Sequence, residues 1–343
     1  MYVVCGAGAI GGVVAARLAM AGLQVILLAR GANEERIRAH GLRLRTPTED
    51  VVVTVPTVTS PQELGPAPDA VALLAVKSQD TFGLARELAQ AIGAGCPVVC
   101  LQNGVDNERT AARFFDNVYA TAVMAPNAHL RPGEFEAYSS PVPGVLEHGR
   151  YCGGSDEQLA KLAADLGTAG FESHVVPDVM AAKYGKLLRN LGNAVEVVCG
   201  PRSRNGPLTT AAQDEGRACL DRAGIAYRHS SAWSALVTPR QIDGLERAGS
   251  STWQSIERGR STETDYLNGE IVMIARRAGA RAPINSELQR LVASVEARPE
   301  TVGTYDEAEV VAHALAVEPE LPQPTEPTGP ATEKECRCAE IQF

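Results

Sequence analysis

Apolar runs of three to seven residues alternate with amphipathic helical segments from the first residue to about residue 176. Short apolar runs of this kind are typical of strands buried on both faces of a sheet. The runs cover residues 2–5, 24–29, 51–55, 70–76, 98–101, 118–124 and 174–176. The alternation predicts an α/β fold with a Rossmann-type, doubly wound and mainly parallel sheet. Gly133 and the segment 141–144 indicate an antiparallel extension of that sheet.

Beyond residue 177 the apolar positions recur with helical spacing only. The predicted helices cover residues 178–199, 208–223, 251–259, 262–278 and 284–297. We therefore expect three parts: a dinucleotide-binding domain over 1–176, an all-helical substrate domain over 177–315, and a tail over 316–343. The tail is rich in proline and poor in apolar residues, so we expect it to be extended or disordered.

Charge and cysteine usage exclude several classes of protein. A net charge of −9 over 343 residues argues against nucleic acid or an anionic membrane as the main partner. No apolar stretch reaches the roughly 18 residues of a membrane span, and a glycine-rich motif stands where a signal peptide would be, so we expect a cytoplasmic protein. Six scattered cysteines are interpreted as reduced core thiols. The Cys336 and Cys338 pair has no companion at zinc spacing, so no metal site is expected.

The most specific local motif is C-G-A-G-A-I-G-G at residues 5–12. It places Gly6, Gly8 and Gly11 at G-x-G-x-x-G spacing between a strand and a helix. Glycines at these positions allow a tight turn, the approach of backbone N–H groups to a pyrophosphate, and close packing of helix on strand. The motif predicts dinucleotide binding at the N-terminus of a helix.

Arg30 follows the second strand, where an NAD enzyme usually carries an acid that binds the ribose 2′-hydroxyl. An arginine at this position favours a cofactor with a 2′-phosphate. The sequence therefore predicts NADPH/NADP+, although a solvated surface arginine is the competing interpretation.

Two further polar residues end strands on the side of the sheet where ligands bind. Lys77 follows the run 70–76, and Asn103 follows the run 98–101 within L-Q-N-G-V. Ligands of open α/β sheets bind outside the carboxyl ends of the strands, so both side chains are candidates for the cofactor cleft. Each could instead cap the following helix.

The helix predicted over 178–199 carries a polar stripe. Lys186, Asn190 and Asn193 fall at i, i+4 and i+7, while apolar residues cover the rest of the helix. A lysine and two amides suit a small polar substrate better than an ordinary solvent face, which usually carries several charges. Lys183, one turn earlier, is the rival lysine.

Glu263 stands in S-T-E-T-D-Y-L-N-G at the start of another predicted helix. An acid there is stabilised by the helix dipole, and Asp265 suits the same role as the far end of a capping box that begins at Thr262. The residues alone do not choose between the two acids.

These motifs together resemble the ketopantoate reductase (2-dehydropantoate 2-reductase) family over about residues 1–300. The resemblance rests on the glycine motif, Arg30, A-V-K-S-Q, L-Q-N-G-V and K-L-L-R-N, and on Ser251 followed twelve residues later by Glu263. It implies that Lys186 is the catalytic lysine and that Glu263 contacts both this lysine and the cofactor. The implied cofactor contacts are Gly6, Ala7, Gly8, Ala9, Ile10, Gly11, Arg30, Lys77, Asn103, Ala128 and Glu263. The implied substrate contacts are Asn103, Lys186, Asn190, Asn193, Asn205 and Ser251.

The match departs from the family pattern on the substrate side. Asn193 follows Asn190 by three residues, where the family spaces the pair by four. The next N-G pair, at Asn205, comes after an apparent one-residue insertion relative to the family pattern. The prediction is NADPH-dependent reduction of a small 2-oxo acid, ketopantoate first. A same-fold reductase of another carbonyl or an imine, and a non-catalytic NADP sensor, stay as alternatives. The expected partner is the small-molecule substrate, and a homodimer is left open.

Overall fold

The computed structural model describes residues 1–65, 67, 69–228, 236–245 and 249–316. The predicted tail over 316–343, with Cys336 and Cys338, lies outside these ranges apart from its first residue. Twelve strands are described: β1 Tyr2–Cys5, β2 Val25–Leu28, β3 Leu42–Arg45, β4 Asp50–Val53, β5 Thr57–Val58, β6 Val71–Leu74, β7 Val98–Cys100, β8 Val118–Met124, β9 Asn127–Arg131, β10 Glu134–Ala137, β11 Val145–Arg150 and β12 Glu172–Val175.

Helices connect the strands and make up most of the chain after β12. In the described ranges they are α1 Ala9–Met20, α2 Ala32–His40, α3 Thr81–Ile92, α4 Asn107–Ala111, α5 Glu157–Thr168, α6 Val179–Asn190, α7 Gly192–Cys199, α8 Pro207–Arg222, α9 Ser251–Glu257, α10 Asn268–Arg277, α11 Pro283–Ala297 and α12 Glu307–Ala316. Short 3₁₀ turns cover Pro61–Leu64, Ser78–Asp80, Pro201–Asn205, Thr264–Tyr266 and Pro299–Thr301.

The main sheet has eight strands in the order β12-β11-β8-β7-β6-β1-β2-β5. The six neighbouring strands β8, β7, β6, β1, β2 and β5 are parallel to one another, and β11 runs antiparallel to β8. Helices pack on the sheet, which confirms the predicted Rossmann-type doubly wound domain and its helical C-terminal partner. The predicted boundary at 176 falls between β12 and α6.

A second sheet of four strands, β4-β3-β10-β9, packs over α1. The run 51–55 was expected in the parallel sheet, and this prediction is wrong: β4 pairs antiparallel with β3 at the edge of the second sheet. The Val52 side chain is 61% exposed, whereas a strand of the parallel sheet would be buried on both faces. The predicted antiparallel extension of the main sheet is confirmed by β11, whereas the antiparallel β9–β10 pair around Gly133 belongs to the second sheet.

Three further expectations need correction. The helix predicted over 178–199 is divided at Leu191 into α6 and α7, because the Leu191 N–H bonds to Leu188 in a tighter turn. The helix predicted over 262–278 begins only at Asn268. Cys152 is not a core thiol, since it is exposed on a turn with φ of +79°.

Among the described residues, no helix combines the length and the apolar character needed to cross a membrane.

Candidate active site

The turn between β1 and α1 forms a loop that is shaped by its glycines. Gly6 has a φ of +118°, and its N–H donates to the Leu28 carbonyl oxygen on β2 at 3.0 Å. A Cβ at Gly11 would lie 2.0 Å from the Gly6 carbonyl oxygen, so packing within the turn requires both glycines. At Gly8 the nearest protein atom to such a Cβ is 3.7 Å away. Packing within the protein therefore does not require a glycine at position 8, which fits the predicted approach of a pyrophosphate to the backbone there.

Two cavities border the glycine loop and the first turn of α1, and we name them the cofactor cleft and the substrate cavity after the roles that the sequence predicts for their residues. The cofactor cleft, of about 700 Å³, is lined by the loop, the ends of β2 and β6, and part of the helical half; its walls include Gly6, Ala7, Gly8, Arg30, Lys77, His129, Arg258 and Arg260. The substrate cavity, of about 500 Å³, is lined by the next loop residues and by α6 and α7; its walls include Ala9, Ile10, Asn103, Ala128, Lys186, Asn190, Asn193, Asn205 and Ser251. All predicted site residues except Gly11 and Glu263 line one of these two cavities.

Arg30 lies at the rim of the cofactor cleft. Its Nε donates to the Thr59 carbonyl oxygen at 3.2 Å, and its guanidinium pairs with Glu87 at 3.2 Å. The side chain is 62% exposed, so it can turn toward a ligand without losing buried contacts. This position, directly after β2, is the one expected for a residue that binds the ribose end of a dinucleotide.

Lys77 connects the two halves of the chain across the cofactor cleft. Its ammonium donates to the Ser255 hydroxyl at 2.9 Å and to the Ser261 carbonyl oxygen, both in the helical half. Burial lowers the pKa of Lys77, and the Glu263 charge opposes this effect. The alternative that Lys77 only caps the following turn does not hold, because its side chain makes no cap bond.

Lys186 projects from α6 into the substrate cavity at the end of β8. Its ammonium donates to the Val123 carbonyl oxygen. Burial lowers the pKa of Lys186 to about 7, and the charges of Lys183 and Arg189 act in the same direction, whereas Glu263 raises it. A lysine with this pKa exists in both protonation states near neutral pH, as a proton donor requires.

The polar stripe of the sequence faces this cavity and not the solvent. Asn190 and Asn193 line the same wall as Lys186, on either side of the break at Leu191. Asn205 and Ser251 line it from other elements. The structure thus gathers the amides, the hydroxyl and the lysine around one space.

Lys183 points away from the cavity into the core. Its ammonium is ion-paired with Glu108, and the two side chains are 2% and 0% exposed. It also donates to the Gln102 carbonyl oxygen at 3.1 Å. Lys183 therefore holds two parts of the chain together. Of the two lysines, Lys186 lines the substrate cavity and Lys183 does not.

Glu263 acts on Lys77 and Lys186 through its charge, and its hydrogen bonds in the described part of the chain come from Ser78. Its Oε1 accepts from the Ser78 N–H and from the Ser78 hydroxyl, each at 2.9 Å. The predicted hold on the Lys186 ammonium is not formed within the described residues, where Glu263 influences Lys186 by charge alone. The capping box between Thr262 and Asp265 is also not formed, because Asp265 accepts from Gln289 at 2.7 Å.

Several wall residues have no counterpart in the sequence-based prediction. Arg258 reaches across the cofactor cleft and donates to His129, whose pKa burial and the charges of Arg258 and Arg260 lower to about 4. Asn127 lines the substrate cavity, and both polar atoms of its amide lack a hydrogen-bond partner in the described part of the chain. A buried, unsatisfied amide is costly, so it points to a polar ligand in this cavity. The spacing of these residues along the sequence carries no signal, because the cavity collects them from distant elements.

Comparison with known proteins matches both halves of the chain to one family. Residues 2–145 match the family model described as ketopantoate reductase PanE/ApbA, and residues 178–296 match its C-terminal model. The 2-dehydropantoate 2-reductase of Archaeoglobus fulgidus is 30% identical over 85% of this chain and 97% of its own. The crystal structure of a ketopantoate reductase from Ralstonia eutropha has a TM-score of 0.71 at 28% identity, covering 88% of this chain and 100% of that one. A D-mandelate dehydrogenase solved with NADH, 23% identical over 86% of this chain and 98% of its own, shares the fold with a TM-score of 0.71.

Proposed function

The chain belongs to the ketopantoate reductase family of oxidoreductases, and we propose on this premise that it reduces a small 2-oxo acid to the 2-hydroxy acid with NADPH. The observation that carries the proposal is Lys186, a lysine of lowered pKa in a polar cavity that borders the glycine loop. The nicotinamide cofactor supplies the hydride, and the chain supplies orientation, charge and a proton.

The residues of the cofactor cleft fit a dinucleotide. The uncapped N-terminus of α1 and the bare backbone at Gly8 suit the pyrophosphate. Arg30 would bind the 2′-phosphate after leaving Glu87, and Lys77 would lie beside the bound cofactor. Arg30 is the support for NADPH over NADH.

Lys186 donates a hydrogen bond to the substrate carbonyl oxygen and transfers its proton as negative charge develops there. To do so its ammonium leaves the Val123 carbonyl oxygen. The charge of Glu263 favours the protonated lysine. Asn103, Asn190 and Ser251 hold the polar groups of the substrate so that the carbonyl carbon is presented to the cofactor side of the cavity.

Ketopantoate is the first substrate to test, because the relatives are named for it. The experiment follows the loss of NADPH absorbance with purified protein and equal concentrations of ketopantoate, simpler 2-oxo acids, a neutral ketone and a cyclic imine. We expect turnover with 2-oxo acids and little with the ketone or imine. Turnover confined to the imine or ketone would reject the proposed reaction.

A further inference from the structure

Arg189 is a cation of the substrate cavity that has no acidic partner among the residues the structure describes. It lies on α6, lines the cavity, and its Nη1 contacts only the Met124 sulfur, at 3.6 Å, among the described residues. A thioether is a weak acceptor, so this contact leaves the donors of the exposed Arg189 guanidinium available for a ligand. The other arginine of the cavity, Arg204, pairs with Glu196 at 3.7 Å.

The described walls of the cavity contain Lys186, Arg189 and Arg204 but no aspartate or glutamate. Arg189 and Arg204 line the same cavity, and partial burial together with the charge of Arg204 lowers the pKa of Arg189. A cavity with this charge balance attracts anions and discriminates against cations.

The spacing of Arg189 and Lys186 matches the shape of a 2-oxo acid. The two residues are three positions apart on α6, so they project from one face of the helix with Cβ atoms roughly 5–6 Å apart. In a 2-oxo acid the carbonyl and the carboxylate occupy adjacent carbons. A lysine at the carbonyl oxygen therefore leaves the carboxylate facing the next cation along the helix, and a guanidinium can bind a carboxylate through two parallel hydrogen bonds.

We propose that Arg189 is a specificity-determining residue that binds the substrate carboxylate, with Arg204 as a second donor from the facing turn. The inference rests on the proposed function and deepens it, because it selects anionic 2-oxo acids over neutral carbonyl compounds. It adds a charged anchor to the amides and the hydroxyl that the family resemblance assigns to substrate binding.

The first test compares a 2-oxo acid with its 2-oxo amide, which keeps the carbonyl and removes the charge. For the acid, Arg189→Gln should lower kcat/KM by about 10- to 100-fold, mainly through KM, as expected for the loss of a charge-assisted bond pair. For the amide, kcat/KM should change less than about threefold, and Arg189→Lys should recover part of the loss. Arg202→Gln is the matched control, because Arg202 lies on the same exposed turn as Arg204 and does not line the cavity.

The second test does not require turnover. Calorimetry of the protein saturated with NADP+ measures binding of oxamate, a carboxylate probe, against oxamide, its neutral counterpart. Wild type should prefer oxamate, and Arg189→Gln should weaken oxamate binding at least about tenfold with an unchanged melting temperature. Equal oxamate binding by wild type and Arg189→Gln, absence of oxamate binding by wild type, or equal losses for acid and amide would overturn the role of Arg189. Failure of wild type to reduce any 2-oxo acid would reject the proposed function separately.

Discussion

The buried pair between Lys183 and Glu108 gives a prediction that the sequence alone would have missed. The sequence offers Lys183 only as the rival of Lys186 and gives no sign that its side chain is buried. In the structure, the side chains of Lys183 and Glu108 are 2% and 0% exposed, and the second oxygen of Glu108 has no hydrogen-bond partner in the described residues. Removing the lysine leaves a buried carboxylate without its counter-charge.

The magnitude follows from that burial. Removing one partner of a buried ion pair lowers the free energy of unfolding by about 3–5 kcal/mol, and a folded protein has roughly 5–15 kcal/mol in total. Lys183→Met should therefore lower the free energy of unfolding by about 3–5 kcal/mol, measured by urea denaturation. The double variant Lys183→Met/Glu108→Leu should recover most of the loss, since replacing both charges by apolar groups removes the desolvation penalty.

The pH dependence provides an independent check. Burial raises the pKa of Glu108 even with Lys183 present, and without the lysine the charged form is disfavoured further. When the pKa of a carboxyl is higher in the folded protein than in the unfolded chain, the folded protein loses stability as the pH rises from the unfolded value to the folded value. The loss of unfolding free energy in Lys183→Met should therefore become smaller as the pH is lowered. A deficit below about 1 kcal/mol, or a double variant as unstable as the single one, would refute the reasoning.

Three further outcomes test other parts of the account. Arg30→Ala should erase a preference for NADPH over NADH of about 10- to 100-fold, and equal wild-type kcat/KM with the two cofactors would reject the 2′-phosphate assignment. Gly12→Ala should cost about 1–3 kcal/mol in chemical denaturation, because its Cβ would lie 2.1 Å from the buried Phe135 ring, whereas Gly83→Ala, with no atom within 4 Å, should not destabilise. The kcat/KM for reduction should fall as the pH rises through about 7, because Lys186 must be protonated to donate, and a flat profile would contradict that role.

The parts of the fold that the sequence predicts are those governed by local patterns. The glycine turn, the buried strands and most helices follow from spacing within fewer than about twenty residues. Among the predicted runs the exception is β4, whose valines resemble a buried run although Val52 is exposed at the edge of the second sheet. The strands β3 and β5 belong to none of the predicted runs. Its position depends on pairing with β3, which the period of the pattern does not encode.

The candidate site was predicted less completely, because direction and distance are tertiary properties. The sequence places Lys183 and Lys186 on the same helix, but only the distant Glu108 determines that Lys183 faces inward. Asn127 and Arg204 reach the substrate cavity from elements other than α6, so their spacing along the chain does not reveal them. Arg189 lies three positions after Lys186 on α6, and this helical spacing could have indicated it. Glu263 stays a candidate, and its hydrogen bonds from Ser78 are visible only in three dimensions.

The most direct measurement of the central claim is the rate of NADPH oxidation with a 2-oxo acid by Lys186→Met. Removal of a positioned proton donor costs about 10²- to 10⁴-fold in rate, and kcat should fall by that factor while the Kd for NADPH stays within about threefold of wild type. Lys161→Met, at a lysine 63% exposed on α5, is the control and should retain full activity. Retention by Lys186→Met of more than about a tenth of the wild-type kcat would contradict the assignment of Lys186 as the proton donor.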